Sequence, residues 1–298
     1  IILVMTNLVK LSVTLSLIFS INNVYADREA FESTYVPLAP EKIVIQNASI
    51  YDGDGGEFFE TDVLVEDGKI IAIGKDLPFS NEFRVIDATG KWVTPGIIDI
   101  HSHMGVYPAP GVRTSSDGNE ATSPVTADVW AEHSIWVQDP QYALALTGGV
   151  TAFHILPGSA NLIGGRGVTV KNLQRVTINS MKFPDAPHSL KMACGENPKR
   201  VYGNRGQAPS TRMGNAAGYR KSWIQAEGYL RRLNEYEEKS DEAKELEYAP
   251  TRDLEMETLA GVLKGEILVH NHCYRADEMA TMIDICLLYT SDAADEGL

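Results

Sequence analysis

His101 and His103 stand one residue apart at the end of an apolar run, Ile97-Ile-Asp-Ile100. On an extended strand, side chains two apart point to the same side. The two imidazoles can therefore approach one cation from a single strand end, and imidazole is a natural ligand for zinc and related divalent metals. Further along, Leu268-Val-His-Asn-His-Cys273 repeats the arrangement. His270 sits directly at the strand end and is the expected ligand of that pair, with His272 facing the pocket or supporting the ligands. The chemistry implied is metal-assisted: a bound divalent ion lowers the pKa of water and polarises a carbonyl.

The elements that must position these residues follow from hydrophobic patterning. Residues 43–50, 62–66, 69–74, 84–87 and 91–93 read as strands, with Asp67-Gly68 as a tight hairpin turn. After the first histidine pair the texture becomes alternating helix and strand. Residues 140–147 read as helix, 150–156 as strand, 189–193 as strand, 216–247 and 254–263 as helices, 267–270 as strand and 276–285 as helix. Strands alternating with helices predict a parallel sheet or barrel. The Gly-rich segment 156–167 reads as a loop on the active-site face, followed by a short strand at 168–170. Its backbone amides could hold an anionic or carbonyl group, but it lacks the Lys-Ser/Thr ending of a phosphate loop. Arg205, Arg212 and Asn215 lie in a second Gly-rich stretch, expected at the pocket wall.

Composition narrows the class. The chain has 298 residues and a net charge of −14, which argues for an acidic enzyme and against nucleic-acid binding. No stretch after the first residues is long and apolar enough for a stable membrane span. Lys10, the apolar run 11–21 and Val24-Tyr25-Ala26 read as a secretory signal over 5–26, with Met5 as the start and a mature chain from Asp27. The expected location is periplasmic or secreted. Cys194, Cys273 and Cys286 are three in number, and no bridge is inferred from them.

Val93-Thr-Pro-Gly-Ile-Ile-Asp-Ile-His-Ser-His103, the strand-Asp-Gly-strand unit before it, and the second histidine pair together resemble the metal-dependent amidohydrolase superfamily, in its imidazolonepropionase-like and dipeptidase-like group. The resemblance implies an α/β fold: a (β/α)8 TIM-type barrel, here truncated, preceded by a small β-sandwich domain that C-terminal strands complete. It implies one or two divalent ions, zinc in the first instance, and hydrolysis of a C–N bond in a small cyclic amide or dipeptide-like substrate by metal-activated water. It also implies an anionic oxygen ligand near the strand at 189–193, which some members supply as a carboxylated lysine and others as a glutamate. Lys191 and Glu196, in Leu190-Lys-Met-Ala-Cys-Gly-Glu-Asn-Pro198, are the candidates. Glu196 is preferred, because a carboxylate satisfies a hard cation without modification. The expected metal set is His101, His103, Glu196 and His270, with Lys191 and His272 as alternatives or supports.

The expected organisation is a signal peptide over 5–26, a linker over 27–40, the β-sandwich portion over 41–95 and the first part of the barrel over 96–286. Residues 287–298 lack barrel patterning and read as an artefactual tail, with the natural protein continuing differently. The family's catalytic aspartate, on the eighth strand, then lies outside the sequence, so no general base is assigned and the chain alone is expected to be inactive. A non-catalytic metal- or ligand-binding barrel is the alternative function. Either is compatible with a homo-oligomer.

Overall fold

The structure, a computed structural model, describes residues 31–290. The expected signal segment and residues 291–298 lie outside the described residues.

Asp67 and Gly68 both adopt positive φ, +52° and +72°. A two-residue turn with both central residues left-handed matches the twist of a hairpin. It joins β2 (Glu57–Glu66) to β3 (Lys69–Gly74) antiparallel. β1 (Ile43–Tyr51) pairs with the other side of β2, and β4 (Arg84–Asp87) and β5 (Trp92–Val93) run parallel to β1. Val63 on β2 packs with Ala48, Ile50 and Ala88 in a small core. The described strands form a single sheet, one layer of the expected sandwich. Buried Asp62 holds it to the following loop, accepting from the backbone amides of Asn47 (3.0 Å) and Leu77 (3.2 Å).

A second five-stranded sheet has the order β10-β9-β8-β7-β6. It comprises β6 (Ile97–Ser102), β7 (Val150–Ile155), β8 (Ile163–Lys171), β9 (Ser189–Ala193) and β10 (Leu268–His272). β6 and β7 are parallel, as are β9 and β10, but β8 runs antiparallel to both its neighbours. Of the Gly-rich segment only residues 156–162 form a loop, and its second half, expected as loop, is strand. Gly164, Gly165 and Gly167 lie within β8, buried. A Cβ on Gly165 would lie 2.4 Å from the Val129 carbonyl oxygen, and one on Gly167 would lie 2.5 Å from Ser189 Oγ. Only glycine lets this strand come so close to its surroundings.

The helices are α1 (Gln141–Thr147), α2 (Glu196–Gly203), α3 (Arg212–Glu237), α4 (Asp241–Leu246), α5 (Leu254–Leu263) and α6 (Ala276–Thr290). Thr211 caps α3 by accepting from Gly214 N, and Asp253 caps α5 by accepting from Met256 N, as small polar side chains do at helix starts. Trp223, Ala226 and Tyr229 of α3 and Leu259, Ala260 and Leu263 of α5 share one core with Leu190 and Met192 of β9. α3 starts earlier than the sequence pattern suggested and stops at Glu237. Arg212 and Asn215 are thus helical rather than in a loop, with Arg212 Nε 2.6 Å from Glu278 Oε1 and Asn215 donating to Gly195 O. Arg205 instead donates to the Ala121 carbonyl. α6 runs past Cys286 to Thr290, and Tyr289 is buried in the same core.

Residues 31–40 have no regular secondary structure, yet the start of this stretch lies against the second sheet's loops. Ser33 Oγ donates to Lys182 O and Thr34 N to Asn179 O, and the Phe31 ring meets His133 edge-on at 5.2 Å.

Within the described residues β6 and β10 each pair on one side only. On β6, Ile98 and Ile100 are 61% and 70% exposed. An unpaired edge with apolar side chains is a template for pairing with another chain. This chain expressed alone should self-associate as its concentration rises. The double substitution Ile98→Lys, Ile100→Lys should shift sedimentation velocity profiles towards the monomer; unchanged profiles would place the association elsewhere.

Candidate metal centre

His101 Nε2 lies 2.9 Å from Lys191 Nζ. These residues belong to β6 and β9, which are separated by two strands. In a flat sheet, with strands about 4.8 Å apart, they would be about 14 Å from each other. The contact shows that the sheet curls and that both side chains stand on its concave side. Lys191 pairs in register with His270 on β10, and His272 pairs with Ala193. Three strands therefore deliver His101, Lys191, His270 and His272 to one side of a half-barrel, and His103 follows directly after β6.

Local bonds orient several of these groups. Asp99 Oδ1 accepts from the His101 amide at 3.2 Å. His103 Nδ1 lies 2.8 Å from the Leu156 carbonyl, which can only accept, so the proton sits on Nδ1 and the Nε2 lone pair is left available. The His103 ring meets His101 edge-on, 5.3 Å between centroids. His272 packs edge-on to Tyr274 at 4.6 Å, and its Nε2 is buried without a hydrogen-bond partner.

Electrostatics keep the imidazoles neutral. Burial lowers the pKa of His101, His103, His270 and His272, and the Lys191 charge lowers all four further. Burial also brings Lys191 down to about 8. Lys191 is 1% exposed, and this brings a neutral, nucleophilic amine within reach near neutral pH.

Glu196 is not part of this group. Gly195 turns the chain at φ +67°, and Glu196 becomes the exposed first residue of α2. The preference for Glu196 over Lys191 is thereby reversed. Sequence reasoning also missed His154 on β7, whose ring stacks on His270 at 4.7 Å. A histidine in an apolar strand, beside the loop that follows the first pair's neighbour strand, was the available signal. The cysteines differ from expectation as well. Cys194 and Cys273 form a disulfide, Cα–Cα 5.1 Å, just beyond the paired residues Ala193 and His272. They are 79 positions apart in the sequence, and the β9–β10 register brings them together.

A cavity of about 500 Å³ opens beside the group, lined by His101 and His272 with Met192, Trp223, Val269 and Met282. Among the described residues no three His, Cys, Asp or Glu side chains already lie close enough around one point to hold a cation. The histidines flank the Lys191 amine instead. The donor set still fits a divalent metal. It offers neutral imidazoles, an unpartnered buried Nε2 on His272 and an amine that carbon dioxide can convert to a carbamate with two oxygen donors.

No protein-family model matches the chain. The chain is 36% identical over 250 residues to the amidohydrolase tasK of Hapsidospora irregularis, covering 78% of this chain and 25% of that protein. It is 46% identical over 74 residues to a dihydroorotase of Lactobacillus helveticus, covering 25% of this chain and 16% of the relative. The crystal structure of an amidohydrolase from Thermotoga maritima superposes with a TM-score of 0.76 at 38% identity, over 83% of this chain and 62% of that one. The chain thus spans about a quarter of tasK and under two thirds of the solved structure. Sequence likeness over most of its length and a shared arrangement of separate sheet and half-barrel agree: the chain belongs to the amidohydrolase superfamily.

Proposed function

We propose that this chain carries the metal-binding part of a hydrolase that acts on C–N bonds in small cyclic or peptide-like amides. The observation that carries the reading is the convergence of His101, Lys191, His270 and His272 from three strands of one curled sheet, with Lys191 Nζ 2.9 Å from His101 Nε2. His101, His103, Lys191 as its carbamate, and His270 would hold one or two divalent ions, zinc foremost, with His272 as a further donor. The metal supplies water activation and carbonyl polarisation when bound. The residues do the rest. Leu156 O fixes the His103 tautomer and burial keeps the imidazoles unprotonated. Secretion through residues 5–26 is part of the same reading and would show as a mature N-terminus near Asp27.

Metal analysis of the purified protein tests the proposal. Zinc should co-purify, be removed by chelation and return on re-addition, and His101→Ala should abolish tight binding. Unchanged metal content in that variant would overturn the assignment.

A further inference from the structure

A histidine that binds a metal through one ring nitrogen is usually held by a hydrogen bond from the other. His103 has such a bond, to the Leu156 carbonyl. His270 has none from the described residues. What touches its ring face is His154, at 4.7 Å between centroids with the planes inclined by only 26°.

His154 is itself held at both ends. Its Nδ1 lies 2.9 Å from Thr169 Oγ1 on β8, and its Nε2 lies 2.7 Å from Ser189 Oγ at the start of β9. A hydroxyl can donate or accept, so both nitrogens are satisfied in either neutral tautomer. The residue is 8% exposed. With both nitrogens engaged His154 has no lone pair to offer a cation, which sets it apart from the histidines around it. Its ring is a fixed plate between β8 and β9, facing His270, a strand-borne histidine whose ring makes no hydrogen bond among the described residues.

We propose that His154 is the positioning residue for His270: the doubly anchored ring sets the plane in which His270 presents a nitrogen to the metal. This rests on the metal-centre reading above and adds a residue that neither histidine pair contains.

The test uses the metal itself. Zinc affinity of the chain is measured by competition with a chromophoric chelator, alongside the visible spectrum of the cobalt(II)-loaded protein and the thermal midpoint of the metal-free form. His154→Ala should weaken zinc binding about 10–100-fold, the range for losing a residue that orients a ligand, and should alter the cobalt bands. Thr169→Val combined with Ser189→Ala keeps the stacked ring but frees both its ends. It should weaken binding by a smaller factor, about tenfold or less. This pair also serves if His154→Ala does not fold. A purely structural role would lower the thermal midpoint while leaving affinity and the cobalt spectrum of the folded protein unchanged, and that result overturns the proposal. If His270→Ala binds zinc like the unsubstituted chain, the metal-centre reading itself fails, which is a separate and recognisable outcome.

Discussion

In a longer protein that completes the barrel around this chain, replacing Lys191 by alanine is expected to abolish tight metal binding and to lower the proposed amide hydrolysis about a thousandfold. Lys191 stands at the middle of the histidine group, 2.9 Å from His101 Nε2, in register with His270. As a carbamate it would bring anionic oxygens to the middle of the group, whereas Glu196 is exposed at the head of α2. A metal's charge stabilisation in hydrolysis is worth several kcal/mol. Losing about 4 kcal/mol corresponds to about three powers of ten in rate. Lys191→Glu restores a carboxylate on a shorter stem and should recover part of the metal binding. Glu196→Ala should leave both metal content and turnover within about twofold, because surface changes away from a site have small effects. Metal content by elemental analysis and turnover on a small amide decide the matter. Metal retained in Lys191→Ala but lost in Glu196→Ala would reinstate the glutamate.

The second large effect falls on stability. Gly165 adopts φ +109°, and a side chain there would press its Cβ to within 2.4 Å of a backbone oxygen, that of Val129. Two penalties combine in Gly165→Ala: an unfavourable backbone conformation, about 1–3 kcal/mol, and crowding in a packed interior, about 1–3 kcal/mol. A loss of about 4 kcal/mol is expected, enough to unfold much of a marginally stable chain. Gly55, also at positive φ (+95°) but with open space for 4 Å around the point where a Cβ would stand, is the control. Gly55→Ala should show only the backbone penalty. Denaturant midpoints of the two variants give the comparison, and equal losses would refute the role assigned to Val129.

Much of the positioning framework was legible in the sequence because it rests on local patterns. The hairpin at Asp67-Gly68, the strand running into His101, the strand at Ser189–Ala193 and the helix at Leu254–Leu263 all follow from turn chemistry, apolar runs and caps. β8 did not, because glycines weaken a strand signal and their purpose here is close approach to other segments. The choice between Lys191 and Glu196 turned on which way each side chain faces once the sheet curls. A lysine inside the otherwise apolar or small Ser-Leu-Lys-Met-Ala strand was the clue: a charge in a buried strand must face a polar site. The Cys194–Cys273 bridge and the His154–His270 stack depend on strand neighbours far apart in the chain, which no local pattern encodes.

The reversed direction of β8 bears on how the half-barrel assembles. Parallel neighbours need long crossovers, whereas antiparallel ones can follow each other closely. β7 and β8 are joined by residues 156–162 alone, while β9 and β10 are separated by the whole of α2 to α5. Contacts between residues near in sequence close their loops at lower entropic cost and form sooner. The antiparallel run from Val150 to Ala193 should therefore gain hydrogen-exchange protection first during refolding, and β10 should join later. His270 and His272 would then reach Lys191 only at the end of the process, so the chemistry of the centre should be the last property the folding chain acquires.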